Sequence, residues 1–221
     1  MHHDANHSPS SDGTASLLVA ALEHAWQTIR RRHPDVPEAV LVVASGSEGK
    51  RVNLGHFAPH RWQVAGADRH EVLVGGEGLQ RGPLDVLGTL LHEAAHGLAY
   101  ARRISDTSRQ GRYHNRRYAT LARELGLDVA HLDPIGWSAT SVPDQAAARY
   151  ADVLAELAAA LVLWRRAEQA NPAGSGRARN ALACSCACGR RIRVARSVLE
   201  LAPILCAACA QPFKSENDQE G

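Results

Sequence analysis

Apolar residues along the chain recur at two different spacings, and together these outline a mixed α+β architecture. Leu18, Leu22, Ala25, Trp26 and Ile29 lie three or four positions apart and predict a helix over residues 17–32, ended by Pro34 and Pro37. Ala39–Ala44 (Ala-Val-Leu-Val-Val-Ala) is a short β-branched run and predicts a buried strand, followed by a turn at 45–49. Residues 52–62, with Gly55 and Pro59, read as irregular chain leading into a short strand near 61–64. Residues 70–74 (His-Glu-Val-Leu-Val) predict another strand, stopped by Gly75-Gly76. Gly82-Pro83 opens a helix to about residue 103, with Leu84, Leu87, Leu91, Ala94 and Leu98 as its buried stripe. After a polar loop at 105–112, residues 113–125 predict a helix with Tyr118, Leu121 and Leu125 on one face, His114 in its first turn and Gly126 as its cap. Residues 129–141 are irregular or short strand. Tyr150, Val153, Leu154, Leu157, Leu161 and Trp164 then predict one long helix from Pro143 to about 167.

These elements suggest a tail at 1–14, a main domain at 15–170, a Pro/Gly/Ser linker at 171–180, a cysteine-rich unit at 181–213 and a polar tail at 214–221. No apolar run approaches the 18 residues of a membrane-spanning helix, and the polar first 13 residues lack a signal peptide's basic and apolar regions. A cytoplasmic protein with no membrane partner is expected. His2, His3 and His7 belong to a stretch whose composition reads as a disordered tail.

Net charge is only +2, so the distribution of charge carries more than its sum. Arg102, Arg103, Arg109, Arg112, Arg116 and Arg117 crowd residues 102–117 against Asp106 alone, and Arg177, Arg179, Arg190, Arg191, Arg193 and Arg196 crowd residues 177–196 with no acid. Both stretches are candidate DNA contacts, which would make the protein nucleoid-associated; a solvated Arg-rich surface explains them equally.

The motif with most chemistry in it is His92-Glu93-Ala94-Ala95-His96 within the central helix. Imidazoles four residues apart on a helix sit one turn apart and about 40° apart in azimuth, so both reach one metal ion. Glu93 beside them has the place of a general base toward a water on zinc. A catalytic zinc takes a third protein ligand. The metzincin pattern asks for a histidine where Arg102 stands, and no cysteine precedes the motif to serve as in peptide deformylase. His114 and Glu124 remain, and ligand chemistry and local context favour His114.

All five cysteines lie between Cys184 and Cys209, as befits a metal site in a reducing compartment rather than a disulfide framework. Cys186-Ala-Cys188-Gly189 and Cys206-Ala-Ala-Cys209 form two knuckles that can face each other around a structural zinc. Cys184 could substitute for Cys188, but Gly189 suits the positive φ that a knuckle turn needs. Between the knuckles, residues 192–194 and 198–201 could supply the short strands of a zinc ribbon.

His92-Glu93-Ala94-Ala95-His96, followed by Asp106-Thr-Ser-Arg-Gln-Gly-Arg-Tyr-His114-Asn-Arg-Arg-Tyr118 and by Leu121-Ala-Arg-Glu-Leu-Gly-Leu127, resembles the SprT-like metalloprotease domain, a group that includes Spartan-type DNA–protein crosslink proteases. The resemblance spans about residues 17–210. It implies a zincin-like α+β domain followed by a Cys₄ zinc ribbon, with one catalytic and one structural Zn²⁺. It implies His114 as third ligand, because the family's third histidine follows a Gly-containing loop. It also implies hydrolysis of a polypeptide substrate. The long partner-binding tail of eukaryotic Spartan has no counterpart here, so recruitment to replication forks is not implied. On this reading Glu93 moves the proton, and the strand at 70–74 binds substrate backbone as an added strand. Neither Tyr113 nor Tyr118 is secure as an oxyanion partner. The competing readings are a zinc- and nucleic-acid-binding module with a vestigial site, and a zinc hydrolase of a non-peptide amide.

Overall fold

The structure is a computed structural model that describes residues 13–48, 51–167 and 181–215. The tail before residue 13, the linker with Arg177 and Arg179, and the tail after Ser215 lie outside the described residues. The chain divides into two compact units at Ala167/Glu168. It is mixed α+β with small sheets. Among the described residues no helix is long and apolar enough to cross a membrane.

The first unit is built around its second helix. Helix α1 (Thr14–Arg32) buries Leu18, Leu22, Ala25, Trp26 and Ile29, as their spacing predicts, and Trp26 Nε1 donates to Pro37 O at 3.2 Å. Strand β1 (Ala39–Ala44) follows, then the short pair β2 (Ser47–Glu48) and β3 (Arg51–Val52), and the long strands β4 (Gly55–Val64) and β5 (Ala67–Gly75). A 3₁₀ turn at Gly76–Arg81 leads into α2 (Pro83–Ala101), which starts with proline at its first helical position after Gly82 at φ +91°. Val86, Leu87, Leu90, Leu91, Ala94, Ala95, Leu98 and Ala99 are all buried, so α2 has core on several sides. Each leucine enclosed there adds roughly 1.5–3 kcal/mol of apolar burial. Leu84, expected in the buried stripe, is 44% exposed and borders a cleft instead.

The first sheet has the order β1-β5-β4, with β1 parallel and β4 antiparallel to β5. This corrects the expectation for residues 70–74. β5 is the middle strand, its edges closed by β1 and β4, so it cannot receive an added strand. β1 and β4 are the edge strands, and β4 is ten residues long where irregular chain leading into a short strand near 61–64 was expected. A bulge between Ala58 and Trp62 absorbs Pro59 and the positive φ of His60, so pairing resumes beyond them.

The second sheet, of order β6-β7-β9-β8, joins β6 (Thr107–Ser108), β7 (Tyr113–His114), β8 (Asp128–Leu132) and β9 (Gly136–Ser141). Helix α3 (Arg116–Glu124) starts two residues later than His114, not before it: the Asn115 side chain caps it by accepting from the N–H groups of Arg117 (2.8 Å) and Tyr118 (3.3 Å). The long C-terminal helix is broken into α4 (Asp144–Arg149) and α5 (Ala151–Ala160) at Tyr150, whose ring is buried under Arg32. Residues 161–167 are irregular, and Trp164 is 55% exposed.

A buried carboxylate fixes the start of β4. Glu77, 4% exposed, accepts from Gly46 N (2.8 Å) and Ser47 Oγ (2.6 Å), and Gly46 O in turn accepts from Asn53 N at 2.8 Å. Any Cβ on Gly46 or Gly75 would come within 2.0 or 2.3 Å of Asn53 O, so only glycine permits this approach. Burial pushes the Glu77 pKa up, but the hydrogen bonds from Ser47 and Gly46, helped by Arg165, hold it down at about 2. The folded pKa lies below the ordinary 4.5, so the stabilisation is complete above that pH and is lost as pH falls toward 2. Glu77→Gln is expected to cost about 1–3 kcal/mol at pH 7. The difference in melting temperature from wild type should shrink steadily from pH 4.5 to 2 in thermal melts; a constant difference would refute the assignment.

The second unit consists of β10 (Ala181–Ser185), β11 (Arg191–Ala195), the one-turn helix α6 (Arg196–Leu199) and β12 (Lys214–Ser215), its sheet ordered β11-β10-β12. Residues 198–201, expected as a strand, instead finish α6 and the turn after it. Lys214 and Ser215, read as tail, pair with Ser185 and Cys184.

Candidate functional site

α2 carries His92, Glu93 and His96, and the β6–β7 hairpin brings His114 to them. The three imidazoles form a triangle with ring centroids 5.0–5.2 Å apart, and one ligand atom from each lies within 4.8 Å of the others. His96 Nε2 and His114 Nε2 are 3.1 Å apart. Nitrogens at about 2.0–2.1 Å from a tetrahedral zinc are roughly 3.3–3.4 Å from each other, so the pair spans about one edge of such a site. The far nitrogens of two rings are held: His96 Nδ1–H donates to Asp106 Oδ2 at 2.5 Å, and His92 Nδ1 lies 3.2 Å from Thr140 Oγ1. Both rings thereby turn Nε2 toward the common centre. His114 Nδ1 is buried and has no hydrogen-bond partner among the described residues.

Electrostatics favours neutral, ligand-ready rings at two of the three positions. Burial, with the nearby His96 and His114, pushes the His92 pKa well below its ordinary value. Burial and His96 lower that of His114 to about 4. Burial also works against charge on His96, but the Asp106 hydrogen bond and the Glu93 carboxylate outweigh it and hold its pKa up. Glu93 itself is 4% exposed, and burial raises its pKa to about 7 against the pull of His96 and of the Phe57 N–H that it accepts.

β4 runs along α2 past this centre. A Cβ on Gly55 would lie 2.9 Å from Thr89 Cγ2 and 3.1 Å from Glu93 Oε1, so the strand can pass over the carboxylate only without a side chain there. Two cavities flank the histidines and share Asn53, Gly55, His92 and Glu93. One, about 460 Å³, extends past Arg81, Leu84 and Ser138; the other, about 510 Å³, past Phe57, Tyr100 and Ile104. The Tyr118 ring, fully buried, packs 4.5–4.9 Å from all three imidazoles, and its hydroxyl has no partner among the described residues. Tyr113 turns elsewhere, to His131 (3.3 Å) and beneath Arg109.

Glu124, the other third-ligand candidate, is not part of this group: its carboxylate is taken by Arg102 at 2.7 Å. Arg102 also binds Asp35, so one arginine of the 102–117 stretch is neutralised by acids distant in sequence. Arg103, Arg109, Arg112, Arg116 and Arg117 remain exposed. In the second unit Arg190, Arg191, Arg193 and Arg196 are exposed as well. Asp106, Thr140, Gly55 and the Phe57 N–H are the site groups that sequence reasoning passed over.

In the second unit Cys186, Cys188, Cys206 and Cys209 come together with all sulfurs within 4.8 Å. Cys188 Sγ is 3.0 Å from Cys186 Sγ and 3.7 Å from Cys206 Sγ, both too far for disulfides, and the second is near the roughly 3.8 Å edge of a Zn–S₄ tetrahedron. Gly189 at φ +82° and Ala210 at φ +52° close the two knuckle turns, donating N–H to Cys186 O and Cys206 O. The Ala208 N–H, despite the cost of burial, lowers the Cys206 thiol to about 6, whereas the hydrogen bond to Cys186 pushes Cys188 up to about 12. Cys184, the expected substitute, lies outside the group; it is fully buried and donates to Leu182 O. Both groups could hold a metal ion.

No family model, curated protein or solved structure matches this chain.

Proposed function

We propose that the protein is a zinc-dependent metallopeptidase of the SprT-like kind, with a zincin-like catalytic unit and a Cys₄ zinc ribbon. The observation that carries this reading is a buried carboxylate, Glu93, set beside three convergent imidazoles under an open strand edge. His92, His96 and His114 would hold the catalytic ion through nitrogen donors that suit zinc. Zinc so held supplies Lewis acidity, bringing the pKa of water toward about 7 and polarising a carbonyl. Everything else is done by the chain. The Glu93 carboxylate, near pKa 7, takes a proton from the attacking water at one oxygen and gives it to the leaving amine. The free edge of β4 offers backbone N–H and C=O groups to an extended peptide lying between the two cavities. Cys186, Cys188, Cys206 and Cys209 would hold a second zinc with a structural role.

The substrate class is polypeptide, and DNA-associated proteins are its proposed members, because exposed arginines flank the third ligand on the 103–117 stretch and recur on the ribbon. The compartment proposed is the cytoplasm. The test is metal content together with cleavage of an unfolded protein such as casein, with and without DNA. Purified wild type is expected to carry two zinc ions and to cut casein in a chelator-sensitive way; His114→Ala should carry one zinc and not cut. Two zinc ions with no cleavage of free or DNA-bound protein would leave a binding module. One zinc ion in wild type would remove one of the two sites.

A further inference from the structure

We infer that Asp106 is the positioning residue of the metal centre: it fixes the ring of His96 with Nε2 inward and thereby sets how tightly the histidines hold their ion. The inference rests on the proposed zinc site and adds to it a residue that touches neither substrate nor metal.

Asp106 Oδ2 lies 2.5 Å from His96 Nδ1. A carboxylate only accepts, so Nδ1 carries the hydrogen, and Nε2 is the nitrogen left to face an ion. Nε2 is the atom that lies 3.1 Å from His114 Nε2. Asp106 is therefore on the outer side of the ring, and it is not in the group whose ligand atoms converge. Its own placement is secured. The Asn115 N–H donates to Asp106 O at 2.9 Å, and Asn115 Nδ2 donates to Ser105 O at 2.9 Å. Asn115 also caps α3 and directly follows His114, while Thr107 pairs with His114 across the β6–β7 hairpin. One hairpin thus delivers the third ligand on one strand and the carboxylate that orients the second ligand at the foot of the other.

The three ligands differ in this respect. His96 has a carboxylate, His92 has only the Thr140 hydroxyl at 3.2 Å, and His114 has no partner among the described residues at its buried Nδ1. A charge-assisted, short hydrogen bond is stronger than a neutral one at ordinary length. Partners of this outer kind change metal affinity about 10–100-fold when removed. Most of that control should rest on Asp106.

The experiment measures zinc dissociation constants by competition with a fluorescent chelator, on full-length protein, for wild type, Asp106→Ala, Asp106→Asn and Thr140→Val. Asp106→Ala should weaken the histidine site about 10–100-fold and leave the cysteine site as in wild type. Asp106→Asn keeps an acceptor oxygen and should recover most of the loss; Thr140→Val should lose less than Asp106→Ala. Nitrogen-15 shifts of the His96 ring in zinc-loaded wild type should report a protonated Nδ1 and a coordinated Nε2, which needs no variant to fold. The opposite ring assignment, or Asp106→Ala binding within twofold of wild type, overturns the inference and leaves the proposed function standing. A wild type that binds no zinc at the histidines removes both.

Discussion

Glu93→Gln is expected to lower peptide hydrolysis about 10²–10⁴-fold while both zinc ions stay bound. Glu93 is outside the group of converging ligand atoms, so its replacement removes no donor to the ion. Glutamine has nearly the same volume and can still accept the Phe57 N–H, so the close approach of Gly55 to residue 93 is kept. What it cannot do is receive a proton at pH 7. The carboxylate's raised pKa, about 7, places it where a general base is most useful, able to gain and release a proton with little bias. The melting temperature should not fall, because the variant replaces an ionisable group that is 4% exposed by a neutral one. Metal content, a thermal melt and a casein-cleavage rate suffice. Retention of more than about a tenth of the wild-type rate, with zinc bound, would falsify the catalytic role given to Glu93.

The parts of this centre that were legible in the sequence are those fixed by local geometry. His92 and His96 share a helix face whatever the rest of the chain does, and the cysteine pairs are knuckles by spacing alone. β1 and β5 were legible because β-branched runs between turn signals have few alternatives. The position of His114 was misread for a specific reason: the stripe Tyr118, Leu121, Leu125 extends backward without a break, and the helical reading ran on through Tyr113 and His114. Asn115 is a strong capping residue and marks the true boundary; weighed against the stripe, it puts His114 outside the helix. β4 was hidden by Pro59 and Gly55, residues that weaken a strand except at a bulge or a close approach, and both exceptions apply. Thr140 was beyond reach: it meets His92 across 48 residues, through a sheet whose order no local pattern announces. Asp106 stands ten residues after His96 at the head of the stretch that carries the resemblance, but no local pattern ties its carboxylate to the His96 ring. Within the basic stretch, the pairing of Arg102 with Asp35 and Glu124 was equally out of reach, since folding brings those acids there.

Cys206→Ser is expected to release one zinc ion and to unfold the second unit, leaving the first unit's zinc and fold in place. The argument is one of missing core. Among the described residues from 181 to 215, those that are buried are Cys184, Cys186, Cys206 and Ser215; every large apolar side chain there is at least partly exposed, with Leu201 at 84% and Leu205 at 63%. Three sulfurs and a hydroxyl cannot supply the apolar burial that offsets the entropy of ordering about 35 residues, roughly 1–2 kcal/mol for each backbone position. A structural zinc in a small domain contributes about 10–16 kcal/mol of apparent binding free energy, so a unit this poor in core depends on it to fold. Serine in place of Cys206 gives up both the thiolate charge and the soft sulfur that suit zinc. The first unit has its own core around α2 and should not respond. Metal analysis should fall from two zinc ions to one. Limited proteolysis should cut within residues 181–215 in the variant and spare that segment in wild type. A variant that keeps both zinc ions, or that loses one yet resists proteolysis there, would show that the unit is held by something other than its metal.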